Sequence, residues 1–434
     1  MIVESGSHEV IGAVTVRRRV LLALALLAAV TVTAAGLATP SPSDAAKKSK
    51  KSSVIKVMTR NVYLGADLTD AINAPNAGAF FAANGGILRQ VDGNAFPVRA
   101  KGLAGEIRSK KPDLVGLQEV AKWAVGPPNL AVISDPSQST ATTVKYDFLE
   151  ELMAEINKGK GLDLYRVVRV TQEFDFEAPA YYEKPYADIN GRLTMRDVII
   201  ARVSSGPKVR TRKPKGGNYS TLYKPVVGGV PVTVTRGWNS VEAKVGNSPW
   251  FTFVNTHLEA FGDDKNEVVD CMTTPAPAYA TNQVSIRCQQ AKELYNVAIK
   301  KSKLPVIAVG DFNSDDRTVV DTNCPSAANT AGTLPGGNGG LCGDTFAYNA
   351  LKKLGMRNVS TYKPLSCCLN TADLIAADGG GSRSDFDHHI DHILTDQPAK
   401  KVKMIGSAVT GLSPENGYWN SDHAGVFSKL KMQG

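Results

Sequence analysis

A chain of 434 residues that is 43% hydrophobic and 21% charged is too apolar for a disordered polymer. It is long enough that core size sets no limit, leaving room for one large domain or two ordinary ones. The formal net charge is +9, but residues 1–46 sum to zero and Lys47, Lys48, Lys50 and Lys51 supply four positives, so the remainder carries only +5 of it. That excess suits a polyanionic substrate, an anionic membrane surface or a plainly solvated exterior, and charge alone names none of them.

In chain order, Arg17-Arg18-Arg19 precede the run VLLALALLAAVTVTAAGLA, the layout of a secretory signal, with cleavage after Ala38 or Ala45. A true start near Val16 would account for the atypical segment before the arginines. A retained anchor over residues 20–38 is the alternative, since the run is about as long as a bilayer needs. No other long apolar run follows, which excludes a multispan membrane protein. Residues 39–53 are a Pro/Ser/Lys tether. The expected organisation is a signal region (1–46), a basic linker (47–53) and one catalytic domain (54–434).

VIKVMTRN alternates and predicts a strand ending at Asn61. Residues 97–110 predict a helix stopped by Pro112, and LVGLQEV (114–120) a strand covered on both faces. A second amphipathic helix is expected over 147–157, then a strand at 196–203 and a hairpin around Val227-Gly228-Gly229-Val230. Strands at 239–245 and 250–258 flank a Gly-Asn-Ser-Pro turn. The clearest helical spacing runs over 282–301, and the short runs PVIAVGDFN, HHIDHILT and SDHAGVFSKL close the series. Strands loosely alternating with helices, some joined by short turns, predict an α/β protein with mixed or antiparallel sheets.

The six cysteines, Cys271, Cys288, Cys324, Cys342, Cys367 and Cys368, all lie in the second half. An even count in an exported chain suggests disulfides, with Cys271–Cys288 the preferred first pair. Cys367 and Cys368, being adjacent, are expected to serve different partners. A zinc site is the weaker rival, because no paired C-x₂-C motif is present.

Apart from His8, every histidine (His257, His388, His389, His392 and His423) falls in or beside a polar motif at a strand end. Those motifs are Thr59-Arg60-Asn61, Leu117-Gln118-Glu119-Val120, Asn255-Thr256-His257-Leu258, Gly310-Asp311-Phe312-Asn313, Ile390-Asp391-His392 and Ser421-Asp422-His423. In this order and context the set, spanning roughly 54–430, resembles the endonuclease/exonuclease/phosphatase superfamily. That group includes pancreatic-type deoxyribonucleases, abasic-site endonucleases, neutral sphingomyelinases and inositol-polyphosphate phosphatases. The resemblance implies two packed mixed or antiparallel β-sheets flanked by helices, a four-layer α/β sandwich. It also implies hydrolysis of phosphate esters.

Such chemistry needs an activated water and charge neutralisation at phosphorus. The resemblance assigns Glu119 as the first ligand of Mg²⁺ (Mn²⁺ or Ca²⁺ as substitutes), with Asn61 beside it and Asp422 completing the site. It assigns His423 as general base oriented by Asp391, Asp311 and Asn313 to hold the water and a phosphoryl oxygen, and His257 to bind phosphate or protonate the leaving group. Arg196 and Asp197 open a strand where a phosphate-contacting arginine or a surface ion pair fits equally. His388 and His389 could contact substrate, bind a second metal or sit in a loop. Of the four tryptophans, Trp419 alone, three residues before Asp422, is a candidate for more than packing.

The expected function is an exported metal-dependent phosphodiester hydrolase, first of all a nuclease. The alternatives are a sphingomyelinase-type phospholipid phosphodiesterase, with residues 125–133 the nearest candidate for transient membrane-surface contact, and a phosphomonoesterase on a small compound. A silent binding module is the remaining class. The expected partners are thus a nucleic acid or phospholipid substrate, with no stable protein partner evident and a monomeric state. Substrate choice is left to the loops 121–146, 205–235, 262–281 and 320–345.

Overall fold

The computed structural model describes residues 52–433 apart from 160–162, 204–205, 264–269, 273–283, 317–344, 362 and 375–379. The signal region, linker residues 47–51, Cys324 and Cys342 lie outside the described residues. In chain order the strands are β1 (Ser52–Asn61), β2 (Leu114–Gln118), β3 (Lys122–Gly126), β4 (Thr143–Asp147), β5 (Tyr165–Ala180) and β6 (Ile189–Arg202). They continue as β7 (Val209–Asn218), β8 (Val226–Val227), β9 (Val230–Pro231), β10 (Gly237–Val245) and β11 (Phe251–His257). The last are β12 (Val306–Asp311), β13 (Arg357–Asn358), β14 (Asp391–Thr395), β15 (Val402–Thr410) and β16 (Gly425–Gln433). The helices are α1 (Thr69–Ile72), α2 (Ala77–Gly93), α3 (Phe96–Lys110), α4 (Phe148–Asn157), α5 (Ile286–Leu294) and α6 (Phe346–Lys353).

Among the described residues, one sheet has the order β15-β16-β1-β2-β6-β3-β4, with β5 also paired to β6. A second has the order β13-β14-β12-β11-β10-β7. The pleat assigns each strand's residues to two different cores. Ile55 and Val57 of β1 face the second sheet, while Met58 faces the helices. Phe251 and Phe253 of β11, with Ile307 and Val309 of β12, fill the space between the sheets. Val254 and Ala308 turn outward against Leu294 of α5 and Leu351 of α6. On the other side Leu103, Ile107, Phe148 and Leu152 cover the first sheet. The layers are therefore helix, sheet, sheet, helix, the four-layer α/β sandwich expected from the sequence.

Sequence and structure differ locally for identifiable reasons. Helix α2 was not foreseen because Gly78, Gly85, Gly86 and Gly93 dilute its helical signal. Gly85 is required there, since a Cβ would collide with the Tyr181 carbonyl. Asn76 caps the helix by accepting from Ala79 N–H at 2.9 Å. The long β5–β6 hairpin extends well before the expected strand at 196–203. The expected Gly-Gly hairpin is the β8–β9 turn, where Gly228 (φ 58°) and Gly229 (φ 88°) take the left-handed backbone such a turn demands. The expected 282–301 helix begins at Ile286 and passes into a π-turn at Tyr295–Ile299.

Cys271 and Cys288 face each other with Cα atoms 5.8 Å apart, inside the range a disulfide allows. Cys367 and Cys368 are joined by a cis peptide, and Cys324 and Cys342, the cysteines that could serve them as separate partners, lie outside the described residues. No helix of the described residues is long and apolar enough to cross a membrane.

Candidate active site

The strand directions bring the polar motifs to one edge. Strands β1 and β2 run parallel, pairing Asn61 with Gln118. Strands β11 and β12 also run parallel, pairing His257 with Asp311. Strands β14 and β16 run the opposite way, so Asp391 starts opposite Asp311 and Asp422-His423 immediately precede β16. The first sheet thus contributes Asn61, Glu119, Asp422 and His423. The second contributes His257, Asp311, Asn313 and Asp391.

The side chains converge. Asn61 Nδ2 donates to Glu119 Oε1 at 3.0 Å and to Asp311 Oδ2 at 3.1 Å, while its Oδ1 accepts from Tyr63 N–H at 2.9 Å. Glu119 Oε2 accepts from Leu64 N–H at 2.8 Å. His423 Nδ1 donates to Asp391 Oδ2 at 2.9 Å; its Nε2 stands 3.6 Å from Asp311 Oδ2. His257 Nε2 lies 3.6 Å from the same oxygen and 3.9 Å from Glu119 Oε1. Asn313 lines the cleft, with Nδ2 turned back to the Leu258 carbonyl at 2.9 Å. Tyr63 (φ 60°), Glu119 (φ 57°) and Asn313 (φ 46°) all take left-handed backbone, uncommon for side-chain-bearing residues and concentrated here around the cleft.

Burial governs the electrostatics. It pushes Asp311 up to about 6 and Asp422 up to about 7, with neighbouring acids adding to the rise. For His423 burial acts downward, but Asp391, Asp422 and Asp311 outweigh it and hold the imidazole well above its ordinary value. His257 is held well below it by burial, then by Arg236 and His423.

Several participants escaped the sequence reading. Buried Arg236 donates to His257 Nδ1 at 3.1 Å and faces Glu259 at 3.5 Å. Because a guanidinium only donates, His257 Nδ1 must carry the lone pair and Nε2 the proton. Buried Arg99 ties the Val62 and Asn420 carbonyls together at 2.9 and 3.0 Å, bracing Asn61 and Asp422 through their neighbours. Neither arginine carries a local signal, since each lies outside every strand-end motif. Arg196 does not line this cleft. It pairs with Asp147 at 2.7 Å and donates to the Val120 and Ala121 carbonyls, so it braces the turn after Glu119. Asp197 is fully buried beside Glu173.

His388 pairs with Asp387, and His389 Nδ1 faces Asp316 at 3.2 Å; neither lines the cleft. Burial, then the neighbouring His389, pushes His392 down to about 4. Trp419 is a packing residue, 2% exposed, edge-on to Phe386 and bonded to the Gly381 carbonyl.

An apolar cavity of ≈ 830 Å³, its open mouth included, adjoins the cleft and shares Leu68, Met195, Arg236 and Phe261 with it. Its walls include Phe80, Trp123, Phe176, Leu193 and Val227.

The model of the Endonuclease/Exonuclease/phosphatase family matches residues 76–423. No curated protein matches the sequence. Among solved structures, an endonuclease/exonuclease/phosphatase family protein from Bacteroides thetaiotaomicron is similar at 14% identity, over 88% of this chain and 100% of that one, with a TM-score of 0.47. A mannosyl-6-phosphatase from Bacteroides thetaiotaomicron VPI-5482 is similar at 14% identity, over 87% and 99%, with a TM-score of 0.43. D. rerio TDP2 complexed with single strand DNA product is similar at 15% identity, over 87% and 99%, with a TM-score of 0.42. With its family model matched over most of its length, the chain belongs to the endonuclease/exonuclease/phosphatase family, whose members are hydrolases acting on phosphate esters.

Proposed function

We propose that this chain is an exported, divalent-metal-dependent phosphodiester hydrolase in which His423 takes the proton of the attacking water. The observation that carries the reading is the 2.9 Å bond from His423 Nδ1 to Asp391. A carboxylate only accepts, so Nδ1 carries a proton in either charge state, and in the neutral ring Nε2 is the basic nitrogen facing the cleft; the acids that raise the imidazole's pKa make it a strong base once that proton is lost. Asp311 Oδ2, 3.6 Å from both His257 Nε2 and His423 Nε2, is suited to hold the water between them. His257, with its proton fixed on Nε2 by Arg236, is suited to donate a hydrogen bond to phosphate. Burial and the adjacent guanidinium keep it neutral, which makes it a weak proton donor.

The donor set fits a hard cation. Glu119 and Asp311 offer carboxylate oxygens within 4.8 Å of each other, and Asp422 lines the same cleft. Burial, with neighbouring acids adding to it, raises the pKa of two of these carboxylates, which favours a divalent ion beside them, and oxygen ligands favour Mg²⁺. Glu119 and Asp422 would hold it, with Asn61, its oxygen engaged by Tyr63 N–H, supporting Glu119 from the amide nitrogen. When bound, such an ion activates water and offsets phosphoryl charge.

On substrate, the apolar cavity supports a phospholipid-type phosphodiester. Its walls are almost wholly apolar, and it shares Arg236, the hydrogen-bond partner of His257, with the cleft. Leu130, 60% exposed, offers an apolar contact for a membrane surface. The nuclease reading rests on the positive balance. Yet Arg212, Lys213, Lys215, Lys301 and Lys303 cluster around Thr252 and Leu304, at the strand ends opposite His257 and Asp311.

The mature chain should be assayed with Mg²⁺ or EDTA against sphingomyelin vesicles, plasmid DNA and bis-nitrophenyl phosphate. Glu119→Ala and His423→Ala should each lose roughly 10²–10⁴ in rate on every substrate the wild type turns over. Phe176→Asp should cut lipid turnover about tenfold or more and spare the nitrophenyl ester. Activity surviving EDTA would remove the metal from the proposal. DNA cleavage without lipid turnover would reinstate the nuclease.

A further inference from the structure

Behind the catalytic edge lies a second cluster that the chemistry above does not use. His392 follows Asp391 on β14, so the pleat sends its ring to the opposite face of the sheet. There it is fully buried between Phe312 (centroids 5.6 Å) and Tyr348 (4.7 Å). Its Nε2 donates to the Ser314 carbonyl at 2.8 Å. In the neutral ring this leaves the lone pair on Nδ1, a fully buried acceptor with no hydrogen-bond partner among the described residues. An acceptor needs no proton from a cation, only a vacant orbital. One ring nitrogen bonded to a backbone carbonyl and the other bare is how proteins orient a metal-binding histidine.

Two further donors lie close to this ring. The buried Asp316 carboxylate lies 3.2 Å from His389 Nδ1. The ligand atoms of Asp316, His389 and His392 all fall within 4.8 Å of one another. The His389 and His392 rings meet nearly at right angles, with centroids 4.8 Å apart. Donors bound to one tetrahedral Zn²⁺ at 2.0–2.1 Å stand roughly 3.4 Å apart, so the Asp316–His389 spacing already matches, and the third donor lies within 4.8 Å of both. His389 N–H is itself pinned to Asp315 at 3.1 Å.

We propose that Asp316, His389 and His392 form a second, structural metal site for a borderline transition ion such as Zn²⁺, with water in the remaining position. Two imidazoles and one carboxylate select such an ion over the Mg²⁺ favoured by an oxygen site. The ion would fasten the segment after β12 to the segment before β14. These segments adjoin Asp311 at the end of β12 and Asp391 at the start of β14, so the site would fix two catalytic carboxylates from behind without touching substrate.

The test is metal binding by the purified full chain, stripped with a chelator and held in excess Mg²⁺. Co²⁺, as the spectroscopic stand-in, should give a visible d–d band of tetrahedral intensity, saturating at one ion per chain. Zn²⁺ should abolish the band and raise the thermal midpoint. The band should persist in Glu119→Ala, which removes a carboxylate of the catalytic cleft. It should be lost in Asp316→Asn and in His389→Ala, whose affinity should fall by more than the ~100-fold typical of losing a supporting hydrogen bond. A wild-type chain that gives no band overturns the proposal, whether or not any variant folds. So does a band that survives in folded Asp316→Asn and disappears in Glu119→Ala.

Discussion

Replacing Asp391 by Asn separates catalysis from stability at a single atom. Asp391 is fully buried, with one oxygen accepting from His423 Nδ1 at 2.9 Å and the other without a partner among the described residues. The amide keeps a polar atom at the unpartnered position and gives up the charge facing His423, so unfolding free energy in Asp391→Asn should fall by about 1–3 kcal/mol, which leaves the chain folded. Activity should not survive so well. If the amide nitrogen turns toward His423, Nδ1 must surrender its proton and Nε2 becomes a donor, the wrong tautomer for a base. If the amide oxygen turns there instead, the hydrogen bond persists but the charge stabilising the imidazolium is gone. Either way turnover should fall by ~10²–10⁴, or about 3–5 kcal/mol of activation free energy. Urea unfolding and steady-state turnover of bis-nitrophenyl phosphate read the two quantities. A folded variant retaining a third or more of wild-type kcat would refute the assignment of His423 as base and Asp391 as its orienter.

Three further outcomes follow from other parts of the molecule. Gly116→Ala should destabilise by about 1–3 kcal/mol in urea unfolding, because the new Cβ would stand 2.6 Å from Val309 Cγ2 and strike Asn255 between the sheets. Burial raises Glu173 to about 7, and a carboxyl raised on folding stabilises fully below its unfolded value and loses that contribution as pH climbs through the folded one. Between about pH 4.5 and 7 the wild type should therefore lose stability relative to Glu173→Gln, with a slope of up to ~1.4 kcal/mol for each tenfold fall in proton concentration; equal slopes in paired urea titrations would contradict this. If Cys271 and Cys288 are bridged, closing a span of 17 residues, reduction or Cys271→Ser should cost about 3 kcal/mol, and unchanged unfolding under reductant would argue against the bridge.

What the sequence disclosed follows physical lines. The strands ending at Asn61, His257 and Asp311 were legible because their apolar runs are nearly unbroken and end abruptly in polar residues. Helix α2 was not, since its glycines serve contacts with Tyr181 that no local pattern records. The motif residues were legible as a set, but their mutual orientation was not. That Asn61 turns its nitrogen rather than its oxygen to Glu119 depends on Tyr63 N–H, two residues on and in left-handed backbone. Arg236 could not be found from sequence, because its importance comes from Glu259 and His257 approaching it in space. The apolar cavity was equally hidden, assembled from α2, β5, β6 and the β8–β9 hairpin.

The division of the site between two sheets explains why the seam between them is polar at one point. His423 belongs to the first sheet and Asp391 to the second, so their 2.9 Å bond spans the sandwich. Apolar packing sets sheet separation loosely, because side chains can slide at little cost. Hydrogen bonds between specific atoms do not slide. Across the seam Gln118 Nε2 donates to Asn255 Oδ1 at 2.5 Å, and Asn255 Nδ2 donates to the Leu117 carbonyl at 3.1 Å. Thr59 Oγ1 in turn donates to Gln118 Oε1 at 3.1 Å. All three side chains are fully buried, just beneath the catalytic edge. Gly116 beside them supplies the space for Asn255 to approach. The seam therefore fixes the register that the His423–Asp391 pair requires. Replacing Asn255 by the nearly isosteric Leu should keep the sheets together but lower kcat on the nitrophenyl ester more than it raises KM. A variant that folds with unaltered kcat would show that packing alone sets the register.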